Sequence, residues 1–191
     1  MGLGITDEAN GNSVAIGDDR RLRTSAVTEN EIAYISREEE STFVIYAKRD
    51  FAAAATNENI FYMKYTGSKR LKIHSITFSS NSPDAKVEVY YDSTYTSGGT
   101  TLTIDAGISN ENRQSSKPLE VTAYHGNITL VMTVDPNLEV LDVRLNRSTF
   151  EKKFEGLILG KNDSIGIIGS VQTIAEKIRC MVECYEVEIR G

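Results

Sequence analysis

From Ser41 onward, short runs of β-branched and aromatic residues alternate with turn residues every 8 to 12 positions, and no helical period develops. That rhythm argues for an all-β chain, because no segment is long enough or suitably periodic to supply a stable helix. The dense runs are Thr42–Ala47, Ile60–Tyr65, Leu71–Phe78 and Ala85–Tyr91. Further strands fit Thr100–Ile104, Leu119–Tyr124, Ile128–Val134, Val140–Leu145, Phe154–Leu159, Ser164–Ile168 and Lys177–Ile189. Breaks are expected at Ser79–Asp84, at Ser97-Gly98-Gly99 and at the turn Tyr124–Asn127. Only Ala52–Ala55 and Thr173–Lys177 hint at helix, and both are too short to stand alone. The expected fold is therefore all-β, a sandwich or barrel, with a two-sheet antiparallel sandwich of jelly-roll type as the first choice, over residues 41–191. No internal repeat points to a solenoid or propeller.

The last run changes parity. Ile178, Cys180, Val182 and Cys184 share one face, and Tyr185, Val187 and Ile189 follow on the other. A β-bulge near Cys184 and Tyr185 would return both sets to one side; a strand passing from one sheet to a second, or into an interface, is the other reading.

Residues 1–40 read as an extended arm, with Gly2, Gly4, Gly11 and Gly17 interrupting every apolar run. A disordered tail is one reading; an arm ordered along a neighbouring subunit is the other. Ile32-Ala33-Tyr34-Ile35 is the stretch that could add to another subunit's sheet edge. The arm carries nine acids and four arginines, −5, out of a formal net charge of −6; the other 151 residues carry 18 acids and 17 bases, −1. A near-neutral body is weakly protected against self-association. No Lys/Arg stripe suits nucleic acid, and no apolar run reaches the roughly 18 residues of a membrane helix. The first residues lack the basic and apolar regions of a signal peptide, and Gly2 with Thr6 has only the outline of a myristoylation motif.

Evidence for chemistry is thin. Cys180 and Cys184 would lie about 13 Å apart on a strand, too far to bridge, and read as buried apolar residues. His74 and His125 are isolated, so no zinc set exists, and no cofactor is expected. Asp105, Asn110, Glu111 and Asn112 share a loop without EF-hand spacing and read as turn formers. Asn127, Asn146 and Asn162 begin Asn-x-Ser/Thr triplets that likewise read as turns, and Lys69, Arg70 and Lys72 as a solvated cluster that could also meet an acidic arm. No nucleophile elbow, P-loop or dinucleotide fingerprint is present. Glu38-Glu39-Glu40 and Glu183, Glu186 and Glu188 are the carboxylates a hydrolase would draw on, and Glu183 the one to test; the absence of Trp argues against a sugar cleft.

Several stretches resemble virion structural proteins of tailed bacteriophages. Tyr90–Thr100 (YYDSTYTSGGT) resembles a strand and loop of such proteins. Phe154–Ile165 (FEGLILGKNDSI), followed by Lys177–Glu186, is similar to the last two strands of jelly-roll virion modules. The resemblance covers about half the chain. It implies a non-enzymatic capsid decoration (cement) protein or another head, neck or fibre component, located in the virion and assembled in the host cytoplasm. It implies a homotrimer that contacts major capsid or other virion proteins, and it carries no catalytic residue across. On that reading Tyr34, Ile35, Phe43 and Ile45 are the candidate interface residues. The alternative is a carbohydrate- or receptor-binding β-sandwich that uses the loop aromatics Tyr91, Tyr95 and Tyr124.

Overall fold

The computed structural model describes residues 41–187, except 105, 113–114, 132–138, 155 and 173–175, and the backbone of three short strands before them. Two units separate between Tyr34 and Ile35. The first holds β1 (Gly4–Thr6), β2 (Ser13–Ile16) and β3 (Leu22–Arg23) in one antiparallel sheet, with Gly4 opposite Ala15 and Ile16 opposite Leu22. Runs of two to four residues, too brief for a core, are long enough to pair with each other.

The second unit contains twelve strands and, among the described residues, no helix. They are β4 (Thr42–Phe51), β5 (Ala55–Tyr65), β6 (Arg70–Ser80), β7 (Ala85–Tyr91), β8 (Thr94–Ile104), β9 (Gly107–Asn110), β10 (Val121–Val131), β11 (Glu139–Leu145), β12 (Thr149–Lys153), β13 (Ile158–Leu159), β14 (Ser164–Val171) and β15 (Glu176–Val187). All-β architecture is as expected. The separate sheets are not: hydrogen bonds follow one path, β11-β7-β14-β5-β10-β8-β9-β4-β15-β6-β12, with β13 also on β6, and the sheet is barrel-like and nearly closed. The link between its halves is a jog. Thr103 and Ala106 exchange backbone hydrogen bonds of 3.1 and 2.9 Å, and β9 runs on parallel to the end of β8. The chain thereby steps from β10 to β4. Gly107 makes the step possible: its φ is +99°, and a Cβ there would lie 2.3 Å from Leu102 Cδ2.

Alternation sends one face of each strand inward. Phe43, Ile45 and Ala47 of β4, Phe61, Met63 and Tyr65 of β5, and Ile178, Cys180, Val182 and Cys184 of β15 join a single apolar cluster. Each of the larger ones, Phe, Ile, Val or Met, contributes about 1.5–3 kcal/mol by leaving water. β14 is buried on both faces through Ile165, Ile167 and Ile168, as befits a strand flanked on each side. Phe43 and Ile45 are therefore corrected from interface candidates to core residues, both with no exposed surface. Tyr34 and Ile35 lie outside the described residues.

The parity change in β15 has its partner where expected and its extra residue elsewhere. Glu183 faces Ser75, Cys184 faces Ile73, and the unmatched residue is His74 on β6. β15 keeps strict register with β4 throughout, so Cys184 stays inward while Tyr185, opposite Thr42, lies on the outer parity, buried beneath Lys72 with its ammonium 5.3 Å from the ring centre. The helix hint at Ala52–Ala54 is a bend into β5, because Ala55 already pairs with Val171. Lys177 belongs to β15, and Phe154, Gly156 and Leu157 lie outside any strand, between β12 and β13.

Cys180 and Cys184 are free thiols at 1% and 0% exposure, and burial pushes both well above the ordinary thiol range. An aromatic disulfide reagent followed by absorbance is expected to react with both at least about 1000-fold more slowly in native than in unfolded protein, since opening the barrel costs about 4 kcal/mol or more. A fast burst in native buffer would contradict this packing.

Candidate functional site on the outer face of the barrel

Two glycine positions expected to end strands instead bend them. Gly98 and Gly99 lie within β8 and Gly126 within β10, all at positive φ, and the β8–β10 register slips there, between His125 and Ile128. In register, Tyr124 faces Thr101 and Tyr95 faces Leu130, six residues further along the ribbon. Six extended residues span roughly 20 Å, yet the Tyr95 and Tyr124 rings stack with centroids 3.9 Å apart and planes 5° apart. The ribbon must therefore bend sharply at the glycines. Tyr62, paired with Tyr124 on β5, completes the cluster at 5.8 Å from Tyr95. Burial pushes the Tyr62 hydroxyl above the ordinary tyrosine range, against opposing hydrogen bonds with Ser164 and the Tyr95 backbone. Asn59 ties down the bent half by donating to Ile128 O at 3.3 Å. His125, read as an exposed turn residue, sets Nδ1 against the Lys48 backbone, 3.1 Å from its carbonyl oxygen and 3.4 Å from its nitrogen, and so spans β10 and β4.

This arrangement brings together two of the three aromatics proposed for a ligand. Tyr95 and Tyr124 spend a ring face on each other, and a sugar needs an open one. Tyr91 stands apart, opposite Ile165 and half-buried against the core.

A different surface emerges on the outer parity of β9, β4, β15, β6 and β12. Residues directly paired across strands share a face, so the registers define rows. Tyr46, Met181, Thr77 and Glu151 form the middle row. On one side lie Ser109, Val44, Glu183, Ser75 and Lys153; on the other lie Lys48, Arg179, Ser79 and Thr149. Tyr46 is 43% exposed, unusual for a large aromatic in mid-strand, and Val44 and Met181 beside it are half-buried. The face thus has a small apolar centre with polar and charged surroundings, the composition of a protein-binding patch.

Its charges are sorted. Ser75 donates to Glu183 Oε2 at 2.9 Å. Desolvation and then the Glu183 carboxylate push Glu111 above the usual carboxylate range, with His74 pulling the other way, so Glu111, Glu183 and His74 share one acidic corner. Lys48 and Arg179 lie on the opposite side of the Tyr46–Met181 row. Nothing in this corner resembles a metal centre: among the described residues, no group of three or more His, Cys, Asp or Glu side chains is placed to hold an ion. Asn110 Oδ1 accepts from the Asn112 N–H at 2.9 Å, the turn-forming role expected of that loop; Asp105 lies outside the described residues.

Glu186 is separate from this face, at the end of the barrel where β15 finishes. It is 3% exposed, takes the Tyr65 O–H at 3.0 Å, and has Lys117 Nζ 3.9 Å away; Lys117 also donates to Ser41 Oγ. Burial and then Glu186 push the Tyr65 hydroxyl well up from its ordinary range. With both carboxylate oxygens facing donors, this is a closed structural network. The sequence-based carboxylates Glu183 and Glu186 are thus placed in different surroundings; Glu38, Glu39, Glu40 and Glu188 lie outside the described residues. The well-formed clefts are open surface grooves, one lined by Asn57, Lys86 and Arg144, another by Phe51, Glu58 and Asn127, and neither collects candidate catalytic groups.

Comparison of the chain with known protein families, curated proteins and solved structures gives no match.

Proposed function

We propose that this chain is a non-enzymatic structural component of a virus particle, a capsid decoration or other head-associated protein. It acts by adhesion, binding copies of itself and other virion proteins. The observation that carries this reading is the division of labour in the barrel. Its inside is one packed apolar cluster, while its outer strands present a patch with exposed Tyr46 and half-buried Met181 at the centre. Such a molecule has more to offer a protein surface than a small ligand. The barrel reads as a jelly roll whose two layers remain hydrogen-bonded through the β8–β9 jog. The N-terminal segment supplies further contacts with neighbours, and closed assemblies strengthen weak contacts through effective concentration.

Gradient-purified virus particles from cultures that encode the chain, assayed by protein mass spectrometry, test the proposal. The chain is expected to band with the particles in fixed ratio to the major capsid protein. Recovery only from the soluble fraction would overturn the reading.

A further inference from the structure

We infer that the outer face of β9, β4, β15, β6 and β12 is self-complementary, and that two copies of the chain pair through it, sheet against sheet, about a two-fold axis. The inference rests on the reading of the chain as an assembling protein and names the partner and the symmetry.

Along β4 and β15 the outer residues run Val44 and Glu183, then Tyr46 and Met181, then Lys48 and Arg179. Acid lies on one side of the apolar row and base on the other, each about 6.6 Å from it. Two copies facing each other are exchanged by an axis lying in the interface. If that axis runs along the Tyr46–Met181 row, the apolar side chains meet their own counterparts. Glu183 then stands opposite the partner's Arg179, and Arg179 opposite the partner's Glu183. One contact thus occurs twice, as an isologous interface requires. A patch with a single sign of charge would repel its copy, whereas the β4–β15 centre of this face is antisymmetric about the Tyr46–Met181 row. The remaining charges are compatible. Glu151 lies on the axis row at its β12 end, away from the apolar centre, where Lys153 stands 3.7 Å from it and offsets its charge; Lys177 and Asp50, 3.5 Å apart, form a pair at the margin. Glu111 and His74 adjoin Glu183, and Lys48 adjoins Arg179. Five strands and the span from Thr42 to Asp50 bound a patch of at most roughly 20 by 26 Å, at the small end of specific interfaces. The near-neutral charge of residues 41–191 leaves little overall repulsion to overcome.

Sedimentation velocity on the full-length chain tests this with four proteins besides wild type: R179E, E183R, the double swap R179E/E183R, and M181K. Wild type is expected to pair. R179E and E183R should each weaken pairing by about tenfold or more, because each places like charges opposite one another twice. The double swap should return the dissociation constant to within about threefold of wild type, since the attraction is restored with its ends exchanged. E183R also removes the acceptor of Ser75, so M181K serves independently: a charge on the axis meets itself and should abolish pairing while circular dichroism stays unchanged. A monomeric wild type, or R179E and M181K that pair like wild type, would overturn the inference. A chain that bands with particles while R179E pairs unchanged removes this face and leaves the assembly reading standing. Pairing as described without particle association removes only the virion reading.

Discussion

Replacing Gly99 with Val is expected to cost about 2–5 kcal/mol of stability and to release the bent part of the β8–β10 ribbon. Gly99 has φ +74°, and a Cβ built on it would lie 2.2 Å from Ile128 Cγ2 and 2.6 Å from His125 O. The side-chain atom could move; the carbonyl oxygen belongs to the partner strand's backbone and could not. A β-branched residue adds strain of its own in this region of φ. Two controls separate crowding from backbone strain. Gly126 has φ +87° but open space around its Cβ position, so Gly126→Ala should lose only about 1 kcal/mol. Gly156 has open space and no such φ, so Gly156→Ala should stay within about 1 kcal/mol of wild type in either direction. Urea denaturation gives the energies. Near-ultraviolet circular dichroism reports the Tyr62–Tyr95–Tyr124 cluster, whose signal should fall in Gly99→Val and persist in Gly156→Ala. A Gly99→Val protein as stable as wild type would refute the bent ribbon.

Phe43→Ala carries the second large effect, about 3–5 kcal/mol lost, because it empties a fully buried site between strands that cannot close up. Phe43 faces inward from β4 directly beside Cys184 of β15, with 0% exposure. Interface placement and core placement make opposite predictions here. An interface residue truncated to Ala would weaken association and leave monomer stability unchanged; a core residue lowers the urea midpoint, with the slope of the transition retained. Unchanged stability together with lost self-association would return Phe43 to an interface.

Most strands were legible because their cause is local. Thr42–Ala47, Ile60–Tyr65 and Ala85–Tyr91 carry enough β-branched and aromatic residues, at period two, to name both element and face. The misses share a non-local cause. Gly98-Gly99 and His125-Gly126 read as chain breaks because glycine permits positive φ equally in a turn and in a bulge. Which of the two it forms is decided by the strand opposite, which no window of sequence contains. In the same way, the parity change at Cys184 and Tyr185 marked a real irregularity, but the extra residue, His74, lies about a hundred positions earlier. The outer patch did leave a trace. Thr42–Ala47 is apolar at nearly every position, and with Phe43, Ile45 and Ala47 in the core, Val44 and Tyr46 necessarily face out. Arg179 and Met181 gained significance only from their register with Lys48 and Tyr46, a property of pairing rather than of sequence neighbours.

The central claim is that the barrel works through its outside, in association with further copies. The most direct test is the solution mass of the purified full-length chain by light scattering across the micromolar range. A mass of twice the 21.1 kDa chain, or a higher even multiple, is the predicted result, in place of the homotrimer that the resemblance implies; a bare trimer would keep the assembly reading and remove the two-fold pairing. A mass that stays at one chain at every concentration would contradict the account.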